Sequence, residues 1–185
     1  MKTNDNISEE LRNNAAYMNI LERTSVRRYA DAEVSDEDVT AILRAAMSAP
    51  SGVNRQPWEF IVVSDRGLLQ RLADVLPYAK MTAEAPVAIV VCANKERFLD
   101  GVDSTLWEQD LSAASENILL ASHALGLGGV WTCLYPHEER ISPVREILNI
   151  PDELIPFNLI PIGRPLADHA PMDKWQPDRI HHNAF

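Results

Sequence analysis

Apolar residues recur along this chain at two spacings, and the points where one gives way to the other mark its elements. Leu11, Ala15, Met18 and Leu21 keep helical spacing and predict a helix over residues 7–21, with Ser8 near its start. Ser35 followed by Asp36, Glu37 and Asp38 reads as a helix start, since acidic groups favour the first turn. Val39, Ile42, Leu43, Ala46 and Met47 then give that helix one apolar face. From Trp58 the spacing changes, and Trp58, Phe60, Ile61, Val62 and Val63 suit a pleated strand. Leu68, Leu69, Leu72, Val75 and Leu76 describe a further amphipathic helix closed by Pro77, and residues 86–93 are apolar throughout, as in a strand covered on both faces. The longest helix spans 105–125. Gly126, Gly128 and Gly129 close it, and residues 130–135 form a strand. Ser142-Pro143 opens a short helix with proline at its first position, carrying Val144, Ile147 and Leu148. A last strand covers 157–162, where Pro161 predicts a sheet edge or a strand end. The tail, 166–185, is too rich in proline for a long helix and is expected to wrap over a neighbour.

A chain of 185 residues supplies enough core for one domain, taken as residues 1–185. The formal net charge of −10 argues against general affinity for nucleic acid or an anionic membrane, both of which need a broad basic surface. There is no apolar run of roughly 18 residues, and the polar start 1–6 lacks a signal segment, so the chain reads as soluble and cytoplasmic. Cys92 and Cys133 each sit in an apolar strand-like run, which predicts buried free thiols. The five histidines form no His-Glu-x-x-His and have no Cys-x-x-Cys partner, so no metal site is expected. Nucleophile-elbow and Walker A patterns are also missing. The glycine run follows a helix and opens a strand, the reverse of a dinucleotide fingerprint. What remains is chemistry supplied by a cofactor, which the protein binds and orients.

Two stretches carry that chemistry. In 49–57, Pro50, Gly52 and Pro57 stop a helix, while Ser51, Asn54 and Gln56 bring uncharged hydrogen-bonding groups to the mouth of a hydrophobic strand. Such a bend suits a planar polar heterocycle; it would equally serve as an ordinary helix-to-strand turn. In Arg23-Thr24-Ser25-Val26-Arg27, an extended backbone puts Arg23, Ser25 and Arg27 on one face. Two guanidinium forks flanking a hydroxyl can grip a phosphate, or the segment can be a solvated link pairing with Glu22, Asp31 or Glu33. The 105–125 helix carries few charges among its Ala, Ser and Leu residues, as fits a core element that is also the seam of an oligomer. The charged segment 95–104 is a lid over a site or a plain surface loop.

Taken in order, Arg23-Thr-Ser-Val-Arg-Arg-Tyr29, then Ala49-Pro-Ser-Gly-Val-Asn-Arg-Gln-Pro-Trp58, then Gly126-Leu-Gly-Gly-Val-Trp131, then Ile162-Gly-Arg-Pro165 resemble the FMN-dependent nitroreductase family over nearly the whole chain. The Pro-Ser-x-x-Asn-x-Gln-Pro-Trp run is the specific motif. The resemblance implies an α+β fold, a mixed β-sheet of four or five strands flanked by helices, in an intertwined homodimer with two FMN sites at its interface. It places Arg23, Ser25 and Arg27 along the phosphate, ribityl chain and pyrimidine edge. Pro50, Ser51 and Gly52 would come from the partner subunit, with Asn54 and Gln56 near the ring, and Trp131, Thr132 and Cys133 would lie against the isoalloxazine. In the tail the family offers two basic residues to the phosphate; here Lys174 fills one place and Met172 stands at the other.

The function implied is an FMN-dependent oxidoreductase using NAD(P)H as transient donor and reducing nitroaromatics, quinones or related electron-poor small molecules by a ping-pong mechanism. Its catalysis is electrostatic and involves no reacting side chain. Arg27 is the expected cation at the flavin's N1–C2=O edge, and a backbone N–H meets N5. A specialised flavin-fragmenting, dehalogenating or dehydrogenating relative, or a non-catalytic FMN-binding sensor, would share these residues.

Overall fold

A computed structural model describes residues 8–167 and 170–185 of the chain. Its centre is strand β2, Val87–Asn94, whose residues from Val87 to Ala93 are all buried. Because strand side chains alternate, Val87, Ile89, Val91 and Ala93 enter one core while Ala88, Val90 and Cys92 enter another. Helix α3 (Asp36–Met47) and helix α5 (Trp107–Ala124) cover the first face with Ile42, Ala46, Leu111, Ala114 and Ile118. Helix α4 (Arg66–Val75) and helix α6 (Glu138–Leu148) cover the second with Leu69, Leu72, Ile141 and Val144. The result is a three-layer sandwich, and the buried run 86–93 is the doubly covered strand that its sequence predicts.

The sheet runs β1 (Trp58–Val63), β2, β5 (Leu154–Gly163), then β3 (Gly128–Gly129), with β4 (Thr132–Cys133) also on β5. Its helix-flanked α+β plan is the expected one. Every pairing among the described residues is antiparallel, so the sheet within one chain is not mixed.

Four elements differ from their sequence reading, each for a local reason. The helix over 7–21 is two helices, α1 (Glu9–Arg12) and α2 (Ala15–Glu22), because the Asn14 side chain accepts the Tyr17 N–H and so starts a new helix; Ile7 lies outside the described residues. Helix α6 starts at Glu138, and Pro143 sits inside it. The signal was the acidic pair Glu138-Glu139, which favours a first helical turn. Pro161 lies two residues before the end of β5, near the expected strand end, but β5 is an interior strand and not an edge. The expected strand 130–135 is correspondingly broken into β3 and β4. The register that pairs Gly129 with Ile162 and Thr132 with Leu159 sets Val130 opposite Pro161, which has no N–H to offer. Pro156 likewise sits where the β2–β5 register shifts, opposite Cys92.

Beyond β3 the segment after α2 runs along the sheet. The Val26 N–H donates to Gly129 O (3.0 Å), Ala30 N–H donates to Arg164 O (2.9 Å), and Tyr29 bridges Pro165. The buried Tyr29 hydroxyl reaches Val26 O and Pro161 O at 2.9 and 3.0 Å, and burial raises its pKa above the ordinary phenol value. This close approach requires glycine at 128, where a Cβ would collide with the Val26 side chain. Gly128→Ala is therefore expected to destabilise the chain by about 1–3 kcal/mol in denaturant unfolding. Adding Val26→Ala should recover part of that loss, and simple additivity of the two substitutions would contradict the contact.

Candidate functional site

Arg23 follows α2 directly. Its Nε lies 3.4 Å from Glu116 Oε1 of α5, and its side chain is 15% exposed. Its buried Nη1 has no partner among the described residues. A guanidinium N–H withdrawn from water without an acceptor is costly, and an anionic oxygen placed there would satisfy it. Ser25 is half-buried and Arg27 exposed, while Val26 between them is buried against β3. Thr24 is half-buried like Arg23 and Ser25, and Arg28 is exposed like Arg27, so of this strip only Val26 and Tyr29 turn fully inward. Of the alternatives for that strip, the ion pair formed is with Glu116, a residue the sequence reading did not single out.

Trp131, Thr132 and Cys133 stand at the same edge of the sheet as this strip. Thr132 is buried with its hydroxyl on Leu159 O at 2.6 Å, and the Trp131 ring meets Phe157 edge-on at 5.7 Å. Cys133 is exposed, contrary to its expected burial, because β4 is a two-residue edge strand whose outer side has no covering strand. Cys92 is buried as expected, and desolvation pushes its thiol up to about 12. Beside Cys133 lies a small open cleft between residues 76–79 and β4. Arg140 closes it, donating from Nη1 to Cys133 O at 3.2 Å and lying 5.3 Å over the Tyr78 ring. Its buried Nε is also unpartnered among the described residues. Arg140 was not foreseen; it lies on a helix whose start the sequence reading placed too late.

The bend before β1 forms the other half. Residues 52–54 make a single 3-10 turn, and Val53, Asn54 and Gln56 have φ of 50°, 56° and 50°. Left-handed backbone is unfavourable for a β-branched residue such as Val53, so three such residues within four positions mark a strained loop. The loop is stitched to itself: Asn54 N–H donates to Ser51 O (3.0 Å), Gln56 N–H to Ser51 Oγ (3.0 Å), and Gln56 Nε2 to Asn54 Oδ1 (3.1 Å). Pro50 is exposed, and Ser51 and Gly52 are half-buried. The segment 95–104 is not a bare loop. It forms short 3-10 turns at Lys95–Arg97 and Gly101–Thr105, and Phe98 stacks on Trp107 at 5.1 Å.

Within one chain these halves do not meet. Across the sheet, Cys133 faces Asn158, which faces Val91, which faces Phe60, so three inter-strand steps, about 14 Å, separate β4 from β1. Along β5, seven residues, about 23 Å, separate the row of Trp58 (through Ala93 to Ile155) from the row of Gly129 (Ile162). Arg23, Ser25 and Arg27 thus share an edge with Trp131–Cys133, and the 50–56 loop stands at the other. Lys174 is exposed on the tail with Met172 and Trp175, and is brought to neither half. No helix of the described residues is long and apolar enough to cross a membrane.

Fold and geometry define the class first: an α+β sheet protein with a partly satisfied arginine at one sheet edge and a strained polar loop at the other. Comparison with known proteins then gives the family. A model described as the nitroreductase family matches residues 20–76 and 69–164. A Methanothermobacter thermautotrophicus protein, to which NADH dehydrogenase/NAD(P)H nitroreductase activity is attributed, is 46% identical over 168 residues, covering 89% of this chain and 86% of its own. A Bacteroides thetaiotaomicron crystal structure with the same attribution superposes with a TM-score of 0.88 at 46% identity, covering 93% and 99%. A Desulfovibrio desulfuricans protein described as a nitroreductase, solved in complex with FMN, gives 0.78 at 32% identity, covering 93% and 98%. The chain belongs to the nitroreductase family.

Iodoacetamide labelling followed by peptide mass spectrometry is expected to modify Cys133 within minutes at pH 8 and to leave Cys92 intact until the chain unfolds. Comparable labelling of both would contradict the placement of Cys92.

Proposed function

We propose that two copies of this chain form an intertwined homodimer that binds FMN at each of two interface sites and uses NAD(P)H to reduce electron-poor small molecules such as nitroaromatics or quinones. The observation that carries this reading is the buried, unpartnered Arg23 Nη1 on a strip with Ser25 and Arg27. An anionic phosphate fits that vacancy in the hydrogen bonding, and the FMN complex of the Desulfovibrio relative supports the choice of ligand.

FMN, when bound, would supply the electron exchange. The chain does the holding and orienting. Arg23 and Ser25 grip the phosphate and ribityl chain. Arg27, exposed along the same strip, carries its charge to the pyrimidine edge, where it favours the more negative form of the ring. The backbone of Trp131, Thr132 and Cys133 lies along the ring, fixed from behind by the Thr132–Leu159 bond. Pro50, Ser51, Gly52, Asn54 and Gln56 of the second copy close the other side. Their separation across and along the sheet supports this division between copies. The tail supports the same dimer. Met172, Trp175, Ile180 and Phe185 stand exposed on one chain, and a clasp on a neighbour would bury them and bring Lys174 to the phosphate. Donor and acceptor use one face in turn, which is why a dinucleotide fold is not required.

The test is an anaerobic absorption spectrum of the purified protein before and after NADH or NADPH. A yellow protein bleached by one of them and recoloured by a nitroaromatic or quinone is expected. Bound flavin that neither donor bleaches would make the protein a sensor, and a chain that takes up no FMN on reconstitution would overturn the cofactor. Arg23→Ala is expected to weaken FMN binding by roughly 1.5–3 kcal/mol, the loss of a charge-assisted contact, with Arg27→Ala comparable. Bound FMN should also slow alkylation of Cys133, and unchanged labelling would place the ring elsewhere. Light scattering at micromolar concentration should return twice the chain mass; a clean monomer would remove the shared site.

A further inference from the structure

Helix α5 carries one buried acidic residue, Asp110, 9% exposed, and its carboxylate points at the strained loop. Oδ1 accepts the Gly52 N–H at 2.9 Å. A Cβ at Gly52 would meet Leu99 Cδ1 at 3.3 Å, Leu106 Cδ1 at 3.7 Å and Asp110 Oδ2 at 3.9 Å, so the glycine backbone is seated among these three side chains. The hydrogen bonds that shape residues 51–56 run within the loop. The bond to Asp110 instead ties the loop to the core, and the reach of Arg97 Nη1 to Gln56 O, at 3.5 Å, is at the limit of a hydrogen bond. Three left-handed residues follow that glycine, and such a conformation persists only where its surroundings over-determine it.

We propose that Asp110 is the positioning residue of the 50–56 loop: its buried carboxylate fixes Gly52 and thereby the strained turn that presents Ser51 and Asn54 to the ligand. The presentation half of this inference rests on the flavin reading above; the anchoring half does not. Asp110 acts through the peptide N–H of half-buried Gly52, to which it supplies the acceptor. The carboxylate also lies in the first turn of α5, where the helix dipole favours negative charge. A purely structural role would therefore consist in stabilising α5, and the two roles predict different responses to substitution.

The experiment compares Asp110→Leu with Asp110→Asn in the FMN-loaded full-length protein. Leucine matches the shape without an acceptor and suits the Leu99–Leu106 surroundings, whereas asparagine keeps the carbonyl oxygen and discards the charge. Amide hydrogen exchange should rise about 10-fold or more across 51–56 in the leucine variant, with β1 and β2 protection unchanged. Asparagine should restore most of it. In parallel the leucine variant should change the visible circular dichroism of bound flavin and lower kcat/KM for NAD(P)H by up to about 10²-fold, as a misplaced loop does. Exchange over 51–56 at the wild-type rate in the leucine variant would overturn the proposal. So would an asparagine variant as exchange-prone as the leucine one, since the charge and not the acceptor would then matter. A wild-type chain that takes up no FMN would overturn the presentation half, and the exchange comparison would still decide the anchor.

Discussion

Burying β2 on both faces decides where a ligand can be met. With α3 and α5 packed on one face and α4 and α6 on the other, neither face of β2 retains open surface, and polar contacts to a small molecule are pushed toward the edges and ends of the strands. The residues with binding chemistry are distributed accordingly. The basic strip runs beside β3, Trp131–Cys133 straddle β4, and the polar bend leads into β1 at the opposite edge. A sheet of this width keeps the two sets apart within one chain, which is the separation that the proposed pairing of two copies would bridge.

Helix α5 ties both halves to the core. Glu116 meets Arg23 and Asp110 meets Gly52, six residues apart on the helix, which is about 9 Å of rise and well over one full turn. The two carboxylates therefore leave different faces of one rigid element. The few charges on this helix, which as composition alone suggest a bland core or a seam, include two that contact Arg23 and the 50–56 loop. Ser115 adds a third polar contact, accepting from Asn158 Nδ2 at 2.7 Å and thereby joining the helix to the central strand β5.

Much of the layer plan was legible because period and propensity agree wherever burial is strong. The doubly buried strand, the capping box of Ser35 with Asp38, and the Trp58–Val63 strand all lie where their residues put them. The misreadings cluster where one local bond outweighs the pattern. Asn14 caps a second helix inside an unbroken helical spacing, and Pro161 sits in a central strand because the partner opposite is interrupted. Cys133 has a strand neighbour on only one side. Each depends on what stands across from the residue, and that is a tertiary fact.

The site divides along the same line. Arg23, Ser25 and Arg27 could be read as one strip because alternation in an extended segment is a property of the backbone alone. Glu116 and Asp110 could not, since each is distant in sequence from the residue it serves and gains its meaning only through a fold that brings α5 against the edges, while Arg140, seven residues from Cys133, sits on a helix whose first turn the spacing did not reveal. The strained loop is intermediate. Its glycine and prolines announce a bend, yet left-handed Val53 runs against that residue's own preference. A conformation that local chemistry disfavours must be held by something non-local, and the Gly52–Asp110 bond joins the loop to the buried first turn of α5. That is why a carboxylate acting through a peptide N–H can govern how the ligand is met.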